Sequence, residues 1–296
     1  MRIVFIGCVQ FSFEMLKHLV LNVKDAEIVG VVTRRESSFN ADFSSLDPLA
    51  HELNIPCYYA DEVNRIKMSD WIKERKPDVI YCFGWSYLLN KDVIDIPPIG
   101  VIGYHPAALP ANRGRHPIIW ALALGLSETA STFFFIDEGV DTGDILSQVF
   151  VPIDEKDDAL SLYKKLTSVA SRQVEEFTKS LANNTYIKIP QDHSCANYWR
   201  KRTVDDGKID WRMSARGIYN LVRALARPYA GAHCIYQNQV IKIWRTEITD
   251  LQYENIEPGK VIAIEEGSNI LIKCGDRVLR LVEHEFRTLP KAGDYL

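Results

Sequence analysis

The sequence predicts an α/β protein, in which a Rossmann-like, doubly wound and mostly parallel sheet precedes a C-terminal small β-barrel domain. Three observations support this fold class. Short apolar runs alternate with segments of helical periodicity as far as Ile153. One long amphipathic helix then covers residues 157–181. After residue 226 the chain changes to short strand-like runs separated by turns, which is typical of a small barrel.

The secondary structure of the first part of the chain is predicted from its hydrophobic pattern. Continuous apolar runs indicate strands, and apolar residues spaced three or four positions apart indicate helices. Predicted strands cover residues 3–6, 28–33, 56–59, 79–83, 100–104, 129–136 and 145–153, and predicted helices cover 11–21, 46–54, 68–76, 117–125 and 157–181. Asp47 is expected to cap the second helix, with Pro48 at its first position. Such alternation predicts ligand binding beyond the carboxyl ends of parallel strands.

The second part is predicted to begin near residue 190. The polar stretch from Pro190 to Asn197 resembles a linker, so we expect a catalytic domain over 1–189 and a barrel-like domain over 190–296. A predicted helix at 218–226 precedes predicted strands at 233–236, 239–246, 259–265, 269–274 and 277–283.

Composition and charge exclude several classes of protein. The chain has 296 residues, 47% hydrophobic and 25% charged, which is globular composition. A net charge of −4 supplies no overall basic field for nucleic acid. The six cysteines lack CxxC spacing, which favours reduced thiols over disulfides or a metal site. The first apolar run is too short for a signal peptide, and no run reaches transmembrane length. We therefore expect a cytoplasmic protein with no membrane partner.

The segment from Ile102 to Asp144 carries the most informative chemistry. His105 follows an apolar strand, a loop rich in Pro, Arg and Gly comes next, and an acidic Gly-rich turn contains Asp141. By spacing alone, His105 fits a buried structural histidine and Asp141 fits an ordinary turn residue. If the fold brings both to strand ends, the two side chains form an acid–base pair.

The loop after the first strand argues against a dinucleotide-binding oxidoreductase. Its sequence, Gly7-Cys8-Val9-Gln10-Phe11, lacks the G-x-G-x-x-G pattern that lets a backbone approach a pyrophosphate closely. Gly7 nevertheless lies at a strand end, so the loop remains a candidate for contact with a ligand.

The motifs of this segment resemble those of the folate-dependent formyltransferase family, which includes glycinamide ribonucleotide, methionyl-tRNA and nucleotide-sugar formyltransferases. His105, Leu109-Pro110, Arg113-Gly114 and Val140-Asp141-Thr142-Gly143 match the family's core pattern in order and spacing. The resemblance extends over nearly the whole chain: residues 83–89 resemble the loop whose backbone cradles the pterin, and residues 198–211 and 223–224 resemble the second domain of two-domain members.

The resemblance implies formyl transfer from N10-formyltetrahydrofolate to an amine, with no metal. The amine attacks the formyl carbon and forms a tetrahedral oxyanion. His105 would stabilise this charge or pass a proton to the leaving N10, and Asp141 would accept a proton from the amine and hold the imidazole. The residues that the resemblance assigns to folate are Tyr87, Leu89, Asp137, Gly139, Val140 and Asp144.

One position departs from the family pattern. Two residues before the histidine, the family has an Asn whose amide donates to the formyl oxygen, whereas this chain has Gly103. Loss of one such donor costs about 2.7–4 kcal/mol of transition-state stabilisation. The replacement donor could be Asn112, which we include with the catalytic residues, a backbone amide near Gly103, or His116. The alternative is a non-catalytic relative that binds a nucleotide sugar or folate.

The acceptor amine is expected to belong to a nucleotide-linked sugar. The sequence of residues 113–120 resembles that of nucleotide-amino-sugar formyltransferases, particularly those acting on UDP- or dTDP-linked 4-amino-4,6-dideoxy sugars. Arg34 and Arg35 follow the second strand and fit a phosphate site or a solvated surface equally well. The candidate acceptor contacts are Gly7, Arg34, Arg113, Arg115, His116, Arg200 and Arg202.

The alternative acceptor is methionyl-tRNA. The net charge of −4 and the acidic stretch over residues 247–266 argue against a nucleic-acid partner, which requires a basic stripe. Phe39 and Phe43 could stack on a base or sugar, or pack within their own loop. The resemblance also allows a homodimer.

Overall fold

The computed structural model describes residues 1–37, 41–61 and 67–296. Their contacts divide the chain into two compact units. The first unit contains residues 1–114, 129–151 and 164–199, and the second contains residues 115–128, 152–163 and 200–296. Because the chain passes between the units several times, the domain boundary near residue 190 stays a prediction.

The first unit is built on a seven-stranded sheet, in the order β3-β2-β1-β4-β5-β7-β8. Its strands are β1 (Arg2–Ile6), β2 (Glu27–Thr33), β3 (Cys57–Tyr59), β4 (Val79–Cys82), β5 (Gly100–His105), β7 (Glu128–Phe135) and β8 (Ile145–Pro152). A separate short strand, β6 (Arg113–Gly114), pairs with β9 (Tyr198–Trp199). The first six helices are α1 (Gln10–Asn22), α2 (Asp47–Glu52), α3 (Met68–Glu74), α4 (Lys91–Ile94), α5 (Pro117–Ala123) and α6 (Ala159–Ala182).

Most of this sheet is parallel, which confirms the predicted α/β class. The pairs β3-β2, β2-β1, β1-β4 and β4-β5 are all parallel. The strand β7 instead runs antiparallel to β5, with Ile102 opposite Phe135 and His105 opposite Thr132. A parallel arrangement needs a crossover segment that packs back on the sheet. The only helix between these strands, α5, belongs to the second unit, so no such crossover connects β5 to β7.

Aromatic rings fill the centre of the first unit. The ring of Phe133 lies 5.1 Å from that of Phe83 and 4.8 Å from that of Phe177. The hydroxyl of Tyr81 pairs with Thr178 at 2.8 Å, and burial raises the pKa of this phenol. The polar tip of a buried tyrosine thus has a partner, as buried hydroxyl groups require.

The second unit contains the helix α7 (Ala215–Ala224) and a five-stranded antiparallel sheet in the order β10-β11-β14-β13-β12. The strands are β10 (Ala232–Tyr236), β11 (Gln239–Ile248), β12 (Val261–Ile264), β13 (Ile270–Lys273) and β14 (Val278–His284). The side chain of Ser214 caps α7 by accepting a hydrogen bond from the backbone N–H of Gly217 at 3.1 Å. The expected C-terminal β domain is confirmed.

Several element ends differ from the sequence prediction. Leu46, and not Asp47, is the capping residue of α2, so Asp47 lies within the first turn of the helix. The strand β5 also includes His105 itself. The short elements α4, β6 and β9 were not predicted, because two to four residues are too few to show a hydrophobic period.

All six cysteines are free thiols, and four of them are buried. Within the described ranges, no helix combines the length and the apolar character needed to cross a membrane.

Truncation of the central ring is expected to destabilise the first unit. Phe133→Ala removes a fully buried ring, which typically costs about 3–5 kcal/mol. We expect a fall of roughly 10 °C in the midpoint of thermal unfolding, measured by circular dichroism. Phe150→Ala is the matched control, because the Phe150 side chain is 56% exposed. Equal midpoints for the two variants would contradict the proposed role of this aromatic cluster.

Candidate active site

His105 ends the strand β5 as a nearly buried side chain, 5% exposed. Its Nε2 lies 2.7 Å from the carbonyl oxygen of Asn112. Because a carbonyl can only accept, Nε2 carries the hydrogen of this bond. The other ring nitrogen, Nδ1, lies 3.6 Å from Oδ2 of Asp141. That distance is too long for a hydrogen bond, but it is within range of an ion pair when the ring is protonated.

Asp141 reaches His105 through a loop that folds back, and not through a strand end. Because β7 is antiparallel to β5, its last residue pairs with Ile102, about 10 Å along the strand from His105. The β7–β8 loop returns Asp141 to the histidine, with Asp141 in the left-handed conformation at φ 55°. The Oδ2 of Asp141 accepts the backbone N–H of Gly114 at 2.8 Å, which orients the carboxylate.

Gln191 holds this returning loop in place. Its Nε2 donates to the carbonyl oxygens of Asp141 at 3.0 Å and of Gly143 at 2.6 Å. Its Oε1 accepts from Nε and Nη2 of Arg113 at 3.2 and 2.6 Å. One buried amide therefore joins the loop of Asp141 to the loop that follows His105.

Arg113 is buried, with only 1% of its surface exposed. Besides Gln191, its guanidinium donates to the hydroxyl of Tyr198 at 3.0 Å and to Nδ1 of His193 at 3.1 Å. The sequence analysis assigned Arg113 to an acceptor phosphate. The structure corrects this assignment, because each of its guanidinium nitrogens already donates to the protein and the side chain supports the loop.

The segment from Pro190 to Asn197, which was predicted to be a linker, helps to hold the loops of His105 and Asp141. Besides Gln191, Asn197 accepts the backbone N–H of Asn112 through Oδ1 at 2.7 Å and that of Arg113 through its carbonyl oxygen at 3.0 Å. Gly114 packs against the same segment, since a Cβ there would lie 2.3 Å from the carbonyl oxygen of Trp199. The short polar residues of this segment form no pattern in the sequence from which their support of the loop could be predicted.

Further side chains, which the sequence analysis also missed, hold the loop immediately after His105. Thr129 donates to the carbonyl oxygen of Pro106 at 3.0 Å, and Thr132 donates to that of Ala107 at 2.7 Å. The Nε2 of Gln148 donates to the carbonyl oxygen of Leu109 at 2.9 Å. No spacing in the sequence marks these residues, because each contact joins β7 or β8 to a loop more than twenty residues earlier.

Gly103 lies where the side chain of an asparagine would meet apolar groups. A Cβ at this position would be 2.9 Å from Cγ1 of Ile136 and 3.0 Å from Cζ of Phe134. The backbone of Gly103 pairs with Cys82 on one side and Phe134 on the other, inside the sheet. Asn112 remains beside the histidine in the left-handed conformation at φ 65°, and its side-chain amide makes no hydrogen bond within the described ranges.

The loop after β4 brings together two residues that the sequence analysis assigned to different ligands. Arg34, which follows β2, donates from Nη1 to the hydroxyl of Tyr87, and its Cζ lies 4.9 Å from the centre of the Tyr87 ring. The ring of Trp85 lies 5.8 Å from that of Tyr87. Leu89 packs against the core, whereas Leu88 is 73% exposed.

The acidic turn is ordered by its own residues. The carboxylate of Asp137 accepts the backbone N–H of Gly139 at 2.9 Å and the hydroxyl of Thr142 at 2.5 Å. The carbonyl oxygen of Asp144 accepts the N–H of Phe135 at 2.8 Å. Val140 is 42% exposed at the tip of this turn. Asp137 and Asp144 thus stabilise the turn, and Val140 presents an apolar surface.

Gly7 is explained by packing. A Cβ there would lie 2.5 Å from the carbonyl oxygen of Phe83 and from the side chain of Ser12, whose hydroxyl donates to the same oxygen at 2.6 Å. Phe43 forms a backbone bridge with Val9. Phe39 lies outside the described residues.

The remaining candidate contacts form a basic cluster in the second unit. The Arg200 and Arg202 guanidinium groups lie 5.4 and 4.6 Å from the centre of the Trp120 ring, and both donate to Asp206. Burial and the neighbouring charges of Arg115, Arg202 and Lys201 lower the pKa of His116 to about 4. The ring of His116 is therefore neutral at pH 7 and can offer a phosphate a hydrogen bond but no charge.

Other features of the described residues do not compete with this site. No group of three or more His, Cys, Asp or Glu side chains in the described ranges could hold a metal ion. A cavity of about 660 Å³ lies beside Asp78 and Pro98. These residues precede β4 and β5, at the edge opposite His105, so this cavity is remote from the acid–base pair.

Comparisons with known proteins agree with the geometry. Residues 1–177 match the family described as formyl transferase, and residues 201–291 match its C-terminal domain. The chain is 32% identical to the methionyl-tRNA formyltransferase of Caldanaerobacter subterraneus over 298 residues, covering 99% of this chain and 94% of that protein. It is 31% identical to the bifunctional polymyxin resistance protein ArnA of Wigglesworthia glossinidia brevipalpis, covering 88% of this chain and 39% of that protein.

A solved structure with a similar fold is the N-formyltransferase of Helicobacter canadensis in complex with folinic acid and dTDP-3-aminofucose. The TM-score is 0.72 at 18% sequence identity, covering 95% of this chain and 98% of that one. Since both family regions match in order and the sequence relative spans almost the full chain, the protein belongs to the formyl transferase family of one-carbon-transferring enzymes.

Proposed function

We propose that this enzyme transfers the formyl group of N10-formyltetrahydrofolate to the amine of a nucleotide-linked amino sugar. The observation that carries this proposal is the pairing of the buried His105 with the partly exposed Asp141, 3.6 Å apart and held by backbone groups on both sides. A paired imidazole and carboxylate can move the two protons that acyl transfer to an amine requires.

The proposed reaction uses these groups in sequence. The amine nitrogen attacks the formyl carbon, and Asp141 accepts the proton that the amine loses. His105 donates a hydrogen bond to the tetrahedral oxyanion and a proton to N10 as the bond between N10 and the formyl carbon breaks. The side-chain amide of Asn112 is the proposed second donor to the oxyanion, in place of the asparagine that Gly103 lacks. No metal takes part.

Folate is proposed to bind at the loops that flank this pair. The Helicobacter canadensis protein, which shares this fold, was solved with folinic acid. The proposed contacts in this chain are Tyr87, Leu89 and the turn that carries Asp137, Gly139, Val140 and Asp144. The exposed Leu88 and Val140 offer apolar surface for a flat ring.

The acceptor is proposed to be a UDP- or dTDP-linked 4-amino-4,6-dideoxy sugar. The net charge of −4 and the acidic stretch over residues 247–266 favour a small acceptor over a nucleic acid. Gly7, Arg34, Arg115, His116, Arg200 and Arg202 remain the proposed contacts. Arg113 is not among the proposed contacts, because its side chain is buried. A cytoplasmic location and a homodimer belong to the same proposal.

Methionyl-tRNA is the second candidate acceptor. A specific observation favours it, namely 32% identity to a methionyl-tRNA formyltransferase over almost the whole chain. The two acceptors predict different responses to salt. Binding to tRNA involves several phosphates and weakens steeply as salt rises.

The activity test uses both acceptors in parallel. The enzyme is incubated with the folate donor and a panel of UDP- and dTDP-linked amino sugars, and products are identified by mass spectrometry. We expect a formylated sugar and no formylated methionyl-tRNA. A tRNA product, together with filter binding of tRNA that falls steeply with salt, would favour the second candidate. Folate binding with no product from either acceptor would favour a non-catalytic relative.

Removal of either member of the acid–base pair is expected to abolish most of the activity. His105→Ala and Asp141→Asn should each lower kcat roughly 10²–10⁴-fold, because general acid–base catalysis contributes that much. His51→Ala is the matched control, since His51 lies on the exposed side of α2. Unfolding midpoints should be recorded for all variants. A folded His105→Ala enzyme with unchanged kcat would overturn the assigned role.

Loss of the amide that joins the two loops should impair both stability and turnover. Gln191→Met retains the size of the side chain but leaves two carbonyl oxygens and part of the Arg113 guanidinium without partners. We expect a fall of roughly 5–10 °C in the unfolding midpoint and a large loss of kcat.

Gln252→Met is the control for this variant, because Gln252 is exposed. A Gln191→Met enzyme with the kcat of the wild type would show that the loop of Asp141 keeps its position without this amide.

A further inference from the structure

Unlike Arg2, Arg35 and Arg75, Arg34 has no carboxylate partner within the described ranges. Its Nη1 donates to the hydroxyl of Tyr87, while its Nε is buried and has no hydrogen-bond partner among the residues that the structure describes. A buried donor without a partner is unfavourable, because water no longer satisfies it. The site therefore has unused capacity to bind an anion.

Its neighbour Arg35 is exposed and already has a carboxylate partner. The Nη1 of Arg35 lies 3.3 Å from a carboxylate oxygen of Asp61, and its Cζ lies 4.2 Å from the centre of the Tyr59 ring. Arg35 thus has both an ion-pair partner, Asp61, and an aromatic partner, Tyr59, within the protein. The sequence alone could not distinguish the two arginines, whereas their partners do.

The position of Arg34 in the sheet is one where ligands bind. The strand β1 lies between β2 and β4, and Arg34 and Tyr87 follow these two neighbours. Their contact therefore crosses the carboxyl end of β1. The strand order reverses between β1 and β4, and the crevice at such a reversal is the usual ligand site of a doubly wound sheet.

The acceptor that Tyr87 offers to the guanidinium of Arg34 is an uncharged hydroxyl. A phosphate oxygen is a stronger acceptor for a guanidinium than a phenol, and a phosphate can engage two of its nitrogens at once. The hydroxyl of Tyr87 is accordingly an acceptor that an incoming phosphate can displace. Release of Tyr87 would change the segment from Phe83 to Leu89, the segment assigned to folate.

We propose that Arg34 binds the diphosphate of the acceptor, and that Tyr87 holds Arg34 until the diphosphate arrives and then joins the folate site. The proposal rests on the proposed function for the identity of the acceptor. It makes Tyr87 a positioning residue that couples the two substrates. By linkage, the diphosphate strengthens folate binding by the same factor as folate strengthens diphosphate binding.

The test is isothermal titration calorimetry of the full chain with dTDP, UDP or inorganic pyrophosphate, each with and without saturating folinic acid. Wild type should bind the diphosphates more tightly when folinic acid is present. In Tyr87→Phe the competing hydroxyl is gone, so diphosphate binding without folate should tighten about 2–10-fold, and the effect of folinic acid should vanish. Arg34→Gln should weaken diphosphate binding about 10–100-fold.

Arg35→Gln is the matched control and should bind each diphosphate like the wild type. Binding of dTDP and UDP but not of pyrophosphate would show that the nucleoside is also required at this site, and the inference would stand. Tyr87→Phe with wild-type affinities and an unchanged effect of folinic acid would overturn the coupling. Diphosphate binding that is equal in Arg34→Gln and wild type would overturn the site.

These outcomes are separate from those of the proposed function. Loss of diphosphate binding in Arg34→Gln, in an enzyme that formylates no nucleotide sugar, would support the anion site and reject the proposed acceptor. Sugar formylation with an unchanged KM in Arg34→Gln would reject the anion site and retain the acceptor. Unfolding midpoints identify any variant that fails to fold, and Arg34→Lys then serves as the milder replacement, with the same direction of change expected.

Discussion

The active site depends on one hydrogen-bonded junction, the side chain of Gln191. Its N–H groups hold the carbonyl oxygens of Asp141 and Gly143, and its oxygen holds the guanidinium of Arg113. Thr129, Thr132 and Gln148 hold the loop after His105, whereas the side chain of Gln191 joins that loop, through Arg113, to the loop of Asp141 and Gly143. Because the junction is buried, water cannot replace its hydrogen bonds, and it helps to fix the spacing of His105 and Asp141.

This support has an electrostatic consequence. Arg113 is buried with its charge and donates to the uncharged side chains of Gln191, Tyr198 and His193. Each nitrogen of this buried cation therefore has a hydrogen-bond acceptor, as a buried charge requires. Both ring nitrogens of His105 face oxygen atoms, Nε2 that of the Asn112 carbonyl and Nδ1 that of the Asp141 carboxylate.

Much of the fold and part of the site could be predicted from the sequence. Apolar runs predicted the seven strands of the main sheet, and the signal is most continuous for central strands such as β1 and β4, which are almost wholly buried. His105 and Asp141 were identified by their motif. Asp141 follows a strand, as predicted, but β7 runs antiparallel to β5, so only a returning loop brings Asp141 to His105. Residues 190–197 were read as a linker, since polar residues that bond to backbone have no periodicity.

The sequence by itself determined the fold class and the family, and it marked His105 and Asp141 as candidate site residues, because these depend on local hydrophobic patterns and on a motif. The tertiary structure alone decided which arginines are available to a ligand. The sequence offers no basis for distinguishing Arg113, Arg34 and Arg35 as ligand contacts. In the structure, Arg113 is buried in a loop junction, Arg34 donates to a tyrosine hydroxyl and Arg35 is paired with Asp61. The physical reason is that the availability of a guanidinium to a ligand depends on its hydrogen-bond and ion-pair partners in the protein. These partners lie far away along the chain.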